Sequence, residues 1–348
     1  RGAFAAARRF AAVSGYRVAP GVEKMLGRMC IDDWSGNYKS AAATLRRFAR
    51  YGLKDLLYLQ HNWQRWGYDR RLPEVYPPRG NRAKFDDMVR AAKEAGYLFG
   101  IHDNYVDYYP DAPGFSYDLM CFNPDGTPLE AWYNPGPQSL SYRWLPQAIH
   151  PTLKRNMALQ RDGFNPNALF IDVFTASMPK DVIDRQGVFY PATRNVKEWC
   201  DAWRECREVY GVPDAVMVSE AGNDTQVGFV DAAASDHYSP WKLTPQAVFD
   251  DGERVPWHDA VTHGKMLLLG GGLGSRYSQP VGSDKPGDQD LHGYASDDYF
   301  CTTVIGGRVP MAALPDRKAV TTYWLLNNLC AALGRAEFET FAFDGDNL

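Results

Sequence analysis

Ala168-Leu169-Phe170-Ile171-Asp172-Val173-Phe174 is the stretch whose reading decides the fold. An apolar run of this length that ends in one carboxylate reads as a buried parallel strand whose C-terminal end opens onto a site. Ala215-Val216-Met217-Val218-Ser219-Glu220 repeats the pattern. Two carboxylates delivered by consecutive parallel strand tips are what acid/base or nucleophilic sugar chemistry requires. Acidic residues at strand ends also cap helices and form ion pairs, so the pair counts for more than either member.

Outward from that stretch, strand and helix patterns alternate at βαβ spacing. Lys24 to Ile31 reads as a first strand with the tip Asp32-Asp33-Trp34, and Tyr38 to Tyr51 as a helix stopped by Gly52. A second strand, Asp55 to Gln60, ends in His61-Asn62-Trp63. A third, Tyr97 to Ile101, ends in His102-Asp103-Asn104-Tyr105, after a helix closed by Gly96. Later units place Ser235-Asp236-His237-Tyr238 on a sixth tip and His258 and Asp259 on a seventh strand within 255–271. Cys301 to Gly306, with Val309-Pro310, reads as an eighth strand, and Ala319 to Leu333 as the closing helix. The fold class expected is α/β, a (β/α)8 TIM barrel with long active-site loops, whose functional face lies at the strand C-termini. Its parts are a lead-in helix within 1–24, the barrel over 25–335, and the start of a β segment over 336–348. The aromatic- and Pro-rich stretch 106–143 and the Gly/Asp/Ser/Tyr-rich 272–300 are the long loops.

Composition bounds the function. With 348 residues, a net charge of −4 and 14% aromatics, the chain offers no basic footprint for nucleic acid or an anionic membrane. No apolar run approaches the roughly 18–20 residues of a membrane span. Many of the 10 Trp and 20 Tyr fall in polar loops, where aromatic rings commonly wall a sugar cleft. Six scattered cysteines lack CxxC spacing and read as buried thiols. The chain opens on Arg1 with no secretory signal pattern, so compartment is not legible from this end.

Asp172 suits a nucleophile and Glu220 a general acid/base, with Asp236 a rival for the acid. Asp103, Asp32 and Asp259 are candidates to bind sugar hydroxyls, joined by His102, His237 and His258. Trp34, His61, Trp63 and Tyr105 complete the set of strand-tip residues expected around the substrate. A divalent ion held by His61, His102, Asp103, Asp172 and His258 is the competing reading, although HxH and HExxH spacings are lacking. Gly270-Gly271-Gly272-Leu273-Gly274-Ser275 lacks the GxxxxGK[ST] pattern of a phosphate loop and reads as a hinge.

His102-Asp103-Asn104-Tyr105, Phe170-Ile171-Asp172-Val173, Val218-Ser219-Glu220 and Val255-Pro256-Trp257-His258-Asp259-Ala260-Val261 carry a resemblance. In order and spacing they resemble the catalytic barrel of the bacterial endo-α-N-acetylgalactosaminidases and their retaining α-glycosidase relatives, over residues from about 25 to 335. The resemblance implies Asp172 as nucleophile, Glu220 as acid/base, Asp103 as a substrate-binding carboxylate, and no cofactor. It also implies an α-linked GalNAc or galactose-type residue of an O-glycan as substrate, and an extracellular or periplasmic setting. That family's flanking β-sandwich and carbohydrate-binding modules have no match here, nor do residues 272–300. A non-catalytic carbohydrate-binding barrel of a larger surface protein is the alternative, in which the two carboxylates only grip hydroxyls.

Overall fold

The computed structural model describes residues 2–234, 257–270, 303–312, 317–337 and 339. Eight parallel strands form one sheet: β1 Met29–Asp33, β2 Leu56–Gln60, β3 Leu98–Asn104, β4 Ala168–Asp172, β5 Val216–Glu220, β6 Ala232–Ala234, β7 Leu267–Leu269 and β8 Met311–Ala312. Their order is β7-β6-β5-β4-β3-β2-β1-β8, and a parallel bridge from Leu269 to Val309 brings the two edges together. This is the (β/α)8 barrel.

Alternation along the strands sorts the core into two layers. Cys30, Leu57, Leu59, Leu98, Ala168, Phe170, Val216, Val218, Ala232, Ala234, Leu267 and Leu269 fill the interior as one cluster. Their odd-stepped neighbours, such as Ile31, Tyr58, Phe99, Ile171 and Met217, pack outward against the helices. Gly100 belongs to the inner set because the interior is full at that level. A Cβ there would lie 2.8 Å from the Ala168 backbone and from Leu59 Cδ2.

The helices follow from local sequence. Asn37 and Asn81 each accept a backbone N–H with the side-chain oxygen and start helices Tyr38–Arg50 and Arg82–Glu94. Apolar Ala41, Leu45 and Phe48 face the sheet, and Gly52, at φ 80°, turns the chain back. Helices His150–Phe164 and Ala192–Tyr210 complete the next two units, whereas only a 3₁₀ turn, Asp224–Gln226, connects β5 to β6. At the lower rim the fully buried Asp231 accepts from Arg207 Nη2, Met217 N and Gly21 N, each at 2.6 Å, tying the lead-in segment to the barrel.

Several expectations are corrected. Residues 22–25 are helical, so the first strand begins at Met29. Trp257–Thr262 is a helix, and the seventh strand is the shorter Leu267–Leu269 after it. The eighth strand is Met311–Ala312, because 303–305 turns helically before Arg308. The closing helix is broken by a π turn at Tyr323–Asn327. The insertion 106–143 carries a three-stranded antiparallel sheet (Asp107–Tyr108, Glu130–Asn134, Ser139–Arg143), and 175–194 a short ribbon. Both leave the C-terminal ends of their strands, over the face where the carboxylates emerge. Residues 272–300, 340–348 and most of the Gly270–Ser275 run lie outside the described residues.

Candidate active site

The inward parity of each strand, continued one step beyond its apolar residues, reaches Asp32, His61, His102, Asp172 and Glu220 in turn. These five therefore crown the barrel interior. Ser219 pairs with Ile171 in the parallel register, and the next residue on each strand is a carboxylate. Asp172 and Glu220 are both half-buried.

Each carboxylate is followed by a backbone reversal that non-glycine residues rarely adopt. Val173 sits at φ 67° and Ala221 at φ 59°. Phe174 N donates to Asp172 O at 2.8 Å and Gly222 N to Glu220 O at 2.6 Å, so each carboxylate opens a γ-turn with a positive central φ. For a β-branched residue such as Val173 this is a strained conformation.

Beside the pair, rings are stacked in a row. Trp34 lies 3.3 Å from His61, centroid to centroid, His61 3.7 Å from His102, and His102 5.0 Å from Phe170. Asp32 fixes one end: its carboxylate accepts from Trp34 Nε1 at 2.9 Å and lies 3.0 Å from His61 Nδ1. Burial lowers the His61 pKa to about 4 even against the nearby Asp32 carboxylate, so this imidazole is neutral near pH 7. His102 goes the other way. Burial alone would lower it, but the Asp172 carboxylate, reinforced by Asp32 and Asp69, raises it above the ordinary histidine value.

Two residues that strand-tip reasoning passes over stand here. Tyr68 leans over both imidazoles, 4.9 Å from His61 and 5.4 Å from His102. Burial, followed by the fields of Asp172, Asp69 and Glu220, pushes its phenol far above the usual range. Asp69, at φ 57°, is raised to about 7 by burial and by Asp107 and Asp172. It borders a pocket of about 230 Å³ shared with Trp66, Tyr109, Pro137 and Ser139. Both residues sit in the loop after β2, where hydrophobic period carries no signal; the only hint was the loop's aromatic content. A larger pocket of about 630 Å³, lined by Phe48, Tyr51, Val320 and Trp324, lies among the outer helices and away from this chemistry.

Other expected residues are not brought to the opening. Asp103 has the outward parity: it is fully buried and accepts from Tyr105 Oη at 2.9 Å and Gln160 Nε2 at 2.7 Å. Burial raises its pKa to about 6 despite those two donors. Tyr105 is its partner behind the wall, and Trp63 is buried there too, donating from Nε1 to His102 O at 2.7 Å. Asp103, Tyr105 and Trp63, expected around the substrate, are thus buried in other contacts: Asp103 with Tyr105 and Gln160, and Trp63 with the His102 carbonyl. His258 and Asp259 lie on the helix before β7 rather than on a strand tip, and Asp259 is gripped by Arg308 Nε at 2.6 Å and Nη2 at 3.0 Å. With Asp103 behind the wall and His258 on that helix, the five-residue metal constellation does not converge. Among the described residues no cluster of His, Cys, Asp or Glu is arranged to hold a metal ion. Asp236 and His237 fall outside the described residues.

No family model and no curated protein matches the sequence. Solved structures do match the fold. The α-N-acetylgalactosaminidase NagBb from Bifidobacterium bifidum, in complex with GalNAc, superimposes with a TM-score of 0.75 at 17% identity, over 97% of this chain and 57% of that one. The two share a fold. An α-galactosidase from Thermus thermophilus in complex with stachyose gives 0.53 at 14% identity, over 93% of this chain and 68% of that one. The α-galactosidase AgaA from Geobacillus stearothermophilus gives 0.57 at 12%, over 98% and 47%. These neighbours are glycoside hydrolases by name, and the chain spans little more than half the length of NagBb. No helix among the described residues is long and apolar enough to cross a membrane.

Proposed function

We propose that this chain is the catalytic barrel of a retaining glycoside hydrolase acting on α-linked GalNAc or galactose-type residues, including those of O-glycans. The observation that carries the reading is the register of β4 and β5, which puts Asp172 and Glu220 side by side on the inward face. Neighbouring strands run about 4.8 Å apart, which suits the roughly 5–5.5 Å between the carboxyl groups of retaining enzymes. The fold shared with an α-N-acetylgalactosaminidase and two α-galactosidases supports the substrate class.

In the first step the Glu220 carboxyl gives its proton to the glycosidic oxygen as the bond from that oxygen to the anomeric carbon breaks. An Asp172 oxygen bonds to the same carbon from the opposite side and leaves a glycosyl ester. In the second step the Glu220 carboxylate takes a proton from water, the water oxygen bonds to the anomeric carbon, and Asp172 departs. Two inversions restore the α configuration. Asp32 and the Trp34–His61 stack form a polar and aromatic wall for the sugar, and Tyr68 covers it. No cofactor enters either step.

The test is Asp172→Ala and Glu220→Ala, assayed on aryl α-GalNAc and α-galactoside substrates. Asp172→Ala should lose turnover. Glu220→Ala should lose it too, and azide should restore it with an α-glycosyl azide as product. Parental rates in both variants, or glycan binding without turnover by the parent, would overturn the reading. The same restoration in Asp236→Asn instead would move the acid/base role to Asp236.

A further inference from the structure

We propose that Thr175 is a positioning residue for the acid/base carboxyl of Glu220, an inference that rests on the function proposed above. Thr175 lies three residues beyond Asp172, yet its contacts run to the neighbouring strand. Its side chain is buried, and its hydroxyl donates to Glu220 O at 2.6 Å. Its backbone N–H donates to Ser219 Oγ at 3.1 Å, and the Ser219 hydroxyl donates in turn to Ile171 O at 2.7 Å. The circuit is closed: Ile171 carbonyl, Ser219 hydroxyl, Thr175 amide, Thr175 hydroxyl, Glu220 carbonyl. It joins the residue before one carboxylate to the backbone of the other.

The circuit has a physical task. The peptide after Glu220 must hold the Ala221 γ-turn, in which the Glu220 carbonyl already accepts from Gly222 N. A turn with a positive central φ at alanine relaxes unless its surroundings over-determine it. The Thr175 hydroxyl is the second donor to that carbonyl and sets the plane of the peptide, and with it the direction in which the Glu220 side chain leaves the strand. Thr175 itself is anchored. Asn223 Nδ2 donates to Thr175 O at 3.0 Å, and the preceding Phe174 is fully buried against Trp199 and Trp203. Motion of either strand tip is therefore shared by the other, and the spacing of the two carboxyls is held as one unit.

Thr175→Val keeps the shape and removes the hydroxyl. Misplacing an acid by about 1 Å can cost about a hundredfold, and in the first step only substrates that need a proton on the leaving oxygen register it. For phenyl or methyl α-glycosides kcat/KM should fall by about that factor, whereas 2,4-dinitrophenyl α-glycosides should keep near-parental kcat/KM, which reports the first step alone. Thr175→Ser should restore the phenyl rate. Equal losses on both leaving groups, or no loss on either, would overturn the proposal, since a purely structural role lowers stability without regard to leaving group. Thr175→Ala serves if the valine variant does not fold. If the parent turns over no glycoside, the functional reading is what fails. Crystal structures of parent and Thr175→Val then decide the positioning claim: a shift of the Glu220 carboxyl by about 1 Å or more from Asp172 upholds it, and an unmoved carboxyl overturns it.

Discussion

His102 Nε2 lies 3.6 Å from Asp172 Oδ2, with the imidazole buried and the carboxylate half-buried at the mouth of the barrel. Gln64 holds the ring from behind, its Nε2 3.3 Å from His102 Nδ1 and 2.7 Å from His102 O. An imidazole kept above its ordinary pKa by a facing carboxylate returns the favour by stabilising that carboxylate's charge.

Replacing His102 by Gln removes that positive charge. An opposite charge at this range favours ionisation by about one pH unit or more. The acid limb of kcat/KM should therefore move to higher pH in the variant, with a larger loss of activity at pH 5 than at pH 8. A pH–rate profile checks it, and an unmoved acid limb would show that His102 does not act on Asp172.

Asp69 gives a stability signature with a definite sign. Its folded-state pKa of about 7 lies above the ordinary carboxylate value, so the folded protein keeps a proton that the unfolded chain has released. That contribution is complete below about pH 4 and is lost as pH rises through about 7. Asp69→Asn lacks the loss, so its melting temperature relative to the parent should climb by a few degrees from pH 4 to pH 7. Melts at three pH values suffice, and a constant difference would mean that Asp69 ionises normally.

Ala221→Gly separates strain from function. A non-glycine residue in the left-handed region costs roughly 1–2 kcal/mol, and a new glycine returns about 0.5–1 kcal/mol through the unfolded chain. Urea unfolding should show a gain of up to about 1 kcal/mol, while kcat falls because the Glu220 turn is no longer fixed. A variant that is both less stable and fully active would contradict this account of the turn.

Arg308 and Asp103 should matter to folding rather than to substrate. Arg308→Met leaves Asp259 buried without its guanidinium and should cost about 3–5 kcal/mol. Asp103→Asn replaces a buried carboxyl whose pKa is raised to about 6, and should leave KM unchanged. A large rise in KM for Asp103→Asn would return that residue to the opening.

The strand-and-helix rhythm was legible because buried parallel strands are continuous apolar runs and the helices between them keep their own period and end on glycine, as at Gly52 and Gly211. The 255–271 region misled because Val-Thr-rich and Leu-rich segments lie next to each other there, and a six-residue helix is too short to display its period. Asp103 misled differently. It shares a tip with His102, but a period of two sends adjacent side chains to opposite faces.

By itself, then, the chain's order of residues determined a parallel barrel and put Asp32, His61, His102, Asp172 and Glu220 at its strand tips, since a buried parallel strand is a continuous apolar run that ends where its polar tip begins. Only the tertiary structure decided that Tyr68 comes from the β2 loop to lie over His61 and His102, and that Thr175 reaches across to Glu220. The same holds for Asp259, which belongs to Arg308. Those relations depend on where loops with no period of their own come to rest against strands distant in sequence, and packing alone settles that.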